Sequence, residues 1–281
     1  MNNTFNIKRF GLVLRKDLIE NRQRYTFLFL TMFGIMAVTS ITTSWNFYLL
    51  ELDKRGFSHD YVNKELLKYI FSFFLAGGIL FAPTFIAPMN SKLKRFSYLI
   101  SPSSNFEKFF SRWLIVTIGY ILSFFVALWI MDLLRVVILT ARFPELDIQF
   151  LDLTKLYNPI KTDDVSIEYM MPKIAFTTVI FIYFLLQSLF ILGATFWEKS
   201  PLIKTFTVLL IIAFAYLTLS RWTILLFYGD YYIFTHVLYK SIFIHILGQG
   251  FVTNVILSVF TLTNWILAYF RVRESEIIKR L

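Results

Sequence analysis

Four residues near the middle of the chain, Ser104-Asn105-Phe106-Glu107, stand at the spacing of a capping box. The Ser104 hydroxyl can accept from the backbone N–H of Glu107, while the Glu107 carboxylate reaches back to the N–H of Ser104. Pro102 just upstream is a breaker, so a new helix is expected over 103–112. It lies in a basic segment: residues 90–112 carry Lys92, Lys94, Arg95, Lys108 and Arg112 against one acid, Glu107. Such a segment reads as the cytoplasmic loop of a membrane protein. A short, capped, amphipathic helix there suits the docking of a soluble partner.

A second group of polar residues lies inside long apolar runs, where ionisable groups are expensive and tend to be functional. Asp132 and Arg135 are three apart near the end of one run, so they can neutralise each other on one helix face. The alternative is a substrate or proton site. Gln187, Asn254 and Asn264 read as hydrogen-bonding groups between helices. Arg221 interrupts its run after sixteen uncharged residues, 205–220, and would have to snorkel toward the outer interface. The histidines, His59, His236 and His245, follow no metal-ligand spacing and read as interfacial polar residues. There is no cysteine, no G-x-x-x-x-G-K-[ST], no G-x-G-x-x-G and no G-x-S-x-G. No catalytic, metal or cofactor set is therefore expected in this chain.

The elements that carry these residues follow from composition. Of 281 residues, 57% are hydrophobic and 16% charged, against about 45–50% and about 25% in soluble domains. The apolar excess is organised into six runs, about 26–49, 69–89, 113–134, 174–197, 205–227 and 246–270, each near the ~20 residues that cross a hydrocarbon core. This predicts an all-α integral membrane protein forming a single transmembrane domain over 1–281, with no cleaved signal peptide. Residues 1–25, 90–112, 198–204 and 271–281 together hold 17 Lys/Arg and 6 Asp/Glu; 50–68, 135–173 and 228–245 hold 10 and 11. The whole net charge of +10 thus lies on one face. The positive-inside rule accounts for it, and places both termini in the cytoplasm of a cell (inner or plasma) membrane. Nucleic acid is not needed as a partner.

Residues 5–24 are expected to form a helix lying on the inner surface, with Ile7, Phe10, Leu14 and Leu18 on one face and Lys8, Arg9, Arg15 and Lys16 elsewhere. Pro83 and Pro88 should bend or break the end of the second span, and Gly77 and Gly78 allow close helix approach within it. Residues 135–173, with three prolines and six acids, are expected as an extracytoplasmic loop. The aromatic stretch between the last two runs is too apolar for a free loop and too short for two spans, which fits a re-entrant outer helical hairpin.

This arrangement resembles the membrane (permease) subunit of an ABC transporter of the type-2 exporter class over nearly the whole length. The segment SPSSNFEKFFSRW, 101–113, is similar to the corresponding loop of ABC permeases of Bacteroidota-like bacteria. The resemblance implies a separate cytoplasmic ABC ATPase that supplies ATP-Mg, and a second copy of this chain or a paralogous permease. It implies that the helix beginning at Ser104 and Asn105 is the coupling helix. Phe106, Phe109 and Phe110 would anchor in a groove of the ATPase, with Glu107, Lys108 and Arg112 as polar contacts. A membrane scaffold or sensor with a cytoplasmic partner is the first rival reading. An intramembrane lipid-modifying enzyme is the second, and it lacks converging His, Asp or Glu.

Overall fold

The computed structural model describes residues 5–52, 59–89, 103–146, 148–153, 173–197, 199–228 and 250–278, among which there is no strand. Helix α1 (Ile7–Glu20) starts at Asn6, whose side chain accepts from the N–H groups of Lys8 and Arg9 at 3.0 and 3.4 Å. It ends at Asn21, which donates its own N–H and its side-chain amide to the Asp17 carbonyl. Helix α2 (Arg22–Leu52) begins at the next residue. The helix expected over 5–24 is therefore shorter, and Arg22 and Arg24 belong to the first turn of α2.

Helix α3 (His59–Phe81) stops just before Pro83, and the chain continues as a 3₁₀ segment, Ala82–Met89. The proline has no N–H to donate and its ring collides with the carbonyl four residues back, so the α ladder cannot pass it. The bend expected at this end takes the form of a tighter helix. Next come α4 (Asn105–Leu114), a π turn (Ile115–Gly119) and α5 (Tyr120–Arg142), continuous in helix from end to end. Because α5 runs past Arg135, the loop expected from residue 135 begins instead at Phe143. Helices α6 (Lys173–Phe196), α7 (Pro201–Tyr228) and α8 (Gly250–Ile278) complete the described chain. The expected re-entrant hairpin, most of the 135–173 loop, His236 and His245 lie outside the described residues.

Among the described residues, six helical runs are long and apolar enough to cross a membrane: Arg22–Leu49, Glu65–Phe85, Asn105–Arg142, Thr177–Phe196, Pro201–Thr223 and Phe251–Glu274. They correspond in number and order to the six expected spans, and the chain is a multi-pass membrane protein. The third run has 38 residues. At about 1.5 Å per residue it is roughly 57 Å long, nearly twice a hydrocarbon core of about 30 Å. Part of it must lie outside such a core, and α4 is its amphipathic end.

The elements form two compact units, the chain passing from the first to the second between Phe81 and Ala82. The first holds α1–α5 with the π turn. There α2 packs along α5 and against α3, with Tyr48, Val62, Leu66, Leu139, Phe143 and Ile148 buried together at one end. The Arg142 guanidinium closes this cluster 5.7 Å from the rings of Trp45 and Phe143. Further along, the buried Tyr120 donates its hydroxyl to the Phe74 carbonyl at 2.7 Å and stacks among Phe74, Phe81 and Phe124.

Gly77 leaves the room Tyr120 occupies, since a Cβ there would overlap the hydroxyl and stand 3.2 Å from Cζ. Gly77→Ala is expected to lower stability by about 1–3 kcal/mol through overpacking. Adding Tyr120→Phe should recover part of that, less about 1 kcal/mol for the lost hydrogen bond. Thermal unfolding of the purified variants in detergent compares the two.

In the second unit α6 is central, packed by α7, α8 and the 3₁₀ segment. Asn264 donates to Ser188 Oγ at 3.0 Å and Asn254 to Thr177 Oγ1 at 3.3 Å, so both asparagines join α8 to α6 as expected. Gly193 of α6 lies directly against Thr205 of α7. Beyond that crossing α7 is bare and apolar, with Ile211, Phe214 and Leu217 all more than 60% exposed. Such a surface is stable only in hydrocarbon or beneath another apolar surface.

Candidate functional site

The capping box forms as its spacing requires. Ser104 has extended backbone, its Oγ accepts from the Glu107 N–H at 3.2 Å, and Glu107 Oε2 accepts from the Ser104 N–H at 3.0 Å. The same carboxylate also does a second task. Oε1 accepts from the N–H of Asn6 at 2.8 Å and from Nη2 of Arg9 at 2.7 Å, while Oε2 accepts from Arg9 Nε at 2.7 Å. This is a two-pronged guanidinium–carboxylate pair, the strong form of charge-assisted hydrogen bond. Glu107 is fully buried, and its hydrogen bond raises the Arg9 pKa above its ordinary value. Every acceptor direction of Glu107 is thus committed within the chain.

A second clasp sits about two turns along α4. Ser111 Oγ donates to Asp17 Oδ2 at 2.9 Å, and Arg112 Nε lies 3.7 Å from the same oxygen. Burial raises the Asp17 pKa, while Arg112 and Ser111 oppose that shift. Rings fill the space between the clasps. Phe10 packs on Phe110 with centroids 5.4 Å apart, Phe110 stacks on both Phe106 and Trp113, and Phe5 meets Phe106 edge-on at 6.1 Å. Helices α1 and α4 therefore form one body joined by an ion pair, a buried polar clasp and an aromatic seam.

That geometry redistributes the roles expected along α4. Glu107, Lys108, Phe109 and Arg112 are buried, Ser104, Asn105 and Phe110 are half-buried, and only Phe106 is open, at 47% exposure. With Phe5, 50% exposed, it forms an apolar edge on the outside of the pair. Of the expected polar contacts, Glu107 and Arg112 are directed into α1. The partners Arg9 and Asp17 carry no local signal in the sequence, because they lie 98 and 94 residues from Glu107 and Ser111.

The expected pairing of Asp132 with Arg135 is present, with Arg135 Nε 2.8 Å from Asp132 Oδ1 and both side chains buried. The pair also reaches beyond its own helix. Arg135 Nη2 donates to the Gln149 carbonyl at 2.9 Å, and Asp132 Oδ2 accepts from the Leu151 N–H at 2.8 Å. Asn63 and Asp152 exchange a second pair of bonds, at 3.1 and 3.3 Å. Together they clamp the segment 148–153 onto α3 and α5. In a low-dielectric setting this satisfies main-chain groups that would otherwise be costly. In the other unit, Gln187 is buried within α6 and Arg221 is exposed on α7. His59 begins α3.

No family model, curated protein or solved structure matches the chain. What the fold and the site define is a class: an all-α, multi-pass membrane protein whose third span carries a capped amphipathic head locked to the N-terminal helix.

Proposed function

We propose that this chain is the transmembrane subunit of an ATP-driven exporter of the ABC type-2 class, with α4 as the element that receives the motion of a separate cytoplasmic ATPase. The observation that carries this reading is the continuous helix from Asn105 to Arg142. Its polar head is too far along to lie within the hydrocarbon, and a push on that head has an unbroken helical path into a span. The clasps to α1 add a second path, because α1 is separated from α2 by Asn21 alone. The Phe5–Phe106 edge supplies an apolar contact for the ATPase. On this reading the termini are cytoplasmic, the membrane is the cell (inner or plasma) membrane, and a second copy or a paralogue completes the permease. Hydrolysis of ATP-Mg belongs to the partner chain, and α1 lies at the membrane surface.

The test is co-purification of the full chain from its native cells, with an ABC ATPase as the expected partner. Phe106→Asp alters an exposed side chain, so it is expected to leave folding intact and to reduce capture of the ATPase at least about tenfold, the ~1.4 kcal/mol expected for one buried aromatic contact. A Phe106→Asp chain that captures the ATPase as well as the parent does would sink the proposal. So would a parent chain that captures none, or whose captured partner is a kinase or a transferase.

A further inference from the structure

The π turn between α4 and α5 sets which way the head of the third span faces. Ser123 of α5 lines one groove with Tyr25, Leu28 and Met32 of α2, so it marks the side of the span turned to α2. In an unbroken α-helix each residue turns by about 100°. At that pitch Ser111 and Glu107 would stand about 120° and 160° round from Ser123. A π turn takes up one extra residue. With that residue taken out of the count, the two come to about 20° and 60° from Ser123. That is where the clasps are needed, because α1 leads into α2 through Asn21 alone. The turn at Ile115–Gly119 thus swings the anchoring side chains of α4 to the side of α2, within reach of Asp17 and Arg9.

The same turn carries a cost. Thr117 within it is fully buried, and among the described residues its hydroxyl has no hydrogen-bond partner. Threonines in plain α-helix are satisfied locally. Thr31 donates to the Phe27 carbonyl at 2.9 Å and Thr42 to the Val38 carbonyl at 2.7 Å, each four residues back. Were the turn ordinary α-helix, the Trp113 carbonyl would stand in that place for Thr117. The π form therefore leaves unmet a buried donor that the α form satisfies. The Glu107–Arg9 pair and the Asp17 clasp pull the other way, since they require the π form. A Cβ added at Gly119 would have no neighbour nearer than 3.8 Å, so nothing wedges that end of the turn. We infer that the π turn is a rotary latch. With its extra residue in place it holds α4 to α1; when that residue passes into α-helix, α4 turns by about 100° on α5 and lets α1 go. The latch needs only the fold of the first unit and is independent of the exporter reading.

The test uses the full chain in lipid bilayers. The sequence contains no cysteine, so Phe5→Cys with Phe106→Cys sets a lone thiol pair on the exposed edge, where the parent rings stand 6.1 Å apart. That pair is expected to oxidise to a disulfide and so escape maleimide labelling. Deletion of the exposed Ile118 removes the extra residue and should leave both thiols open to the label. An alanine inserted between Leu114 and Ile115 of the deleted chain restores the count and should restore the disulfide. Thr117→Val, made separately in the cysteine-free chain, removes the donor that favours the α form. Hydrogen exchange over residues 7–20 should then slow about fivefold or more. This variant decides the matter where the deletion fails to fold. The inference is overturned by a parent pair that stays reduced, or by a disulfide that forms as readily after the deletion. A disulfide that the added alanine does not bring back, or exchange left unchanged by Thr117→Val, overturns it equally.

Discussion

Glu107→Ala is expected to release α1 from α4 and to cost about 3–5 kcal/mol, the range for stripping one partner from a buried ion pair. The lower part of that range applies, because Arg9 keeps 29% of its side-chain surface exposed and can rehydrate once unpaired. The lost capping box adds about 1 kcal/mol. Glu107→Gln separates the two tasks. A glutamine can still accept from the Ser104 N–H, but it cannot form the two-pronged pair with Arg9. It should therefore fall between Ala and the parent. Hydrogen exchange over residues 7–20 reads the outcome directly, with protection lost in Ala and partly kept in Gln. A double-mutant cycle with Arg9→Gln should return a favourable coupling between the two positions. Unchanged exchange in all three variants would mean that the aromatic seam and the Asp17 clasp are enough to hold α1.

The second large effect belongs to the other unit. Gly193→Ala would place a Cβ over Thr205 Oγ1 and only 2.8 Å from Thr205 Cβ. The far end of a flexible side chain could turn aside, but a Cβ moves only with its backbone. The crossing of α6 and α7 must then open, at the upper part of the roughly 1–3 kcal/mol typical of overpacking. Thr205→Gly alone should cost about 0.3–0.5 kcal/mol in helix propensity, and in combination with Gly193→Ala it should restore most of the lost stability. Thermal unfolding of the four proteins tests this; additive losses in the double variant would show that the contact is not the cause. Because α7 touches its unit chiefly through α6, loosening that crossing leaves a long apolar helix with little to hold it.

What could be read from the chain beforehand was whatever chemistry acts over one helical turn. The Ser104–Glu107 box and the Asp132–Arg135 pair are both i,i+3 relations, and both formed. Pro83 removes a donor wherever it stands, so the end of α3 was equally local. The six spans were legible because about 20 apolar residues have few other uses. The long-range clasps were not. Nothing near Glu107 singles out Arg9 among the basic residues, and nothing near Ser111 singles out Asp17. Along α4, Glu107 and Arg112, expected as polar contacts of a partner, face α1, where Arg9 and Asp17 meet them. The loop start at 135 was placed early for a related reason. A charge usually marks an interface, but Arg135 is neutralised by Asp132 and lets the helix run on to Arg142. Gly193, alone in its run with no second small residue at GxxxG spacing, gave no warning of the contact it makes.

The π turn divides the long third helix unequally. On one side stand the ten residues of α4, about 15 Å; on the other the 23 of α5, about 35 Å. A rod pivoting there is a lever with a ratio near two. A displacement of about 1 Å imposed at the head emerges as about 2 Å at the far tip, in the opposite direction. Roughly 10–15 Å short of that tip Arg135 and Asp132 grip the main chain of 148–153, so the strap travels with the helix. On the exporter reading, a fulcrum there would turn small strokes at the α4 head into larger ones at the far end of α5.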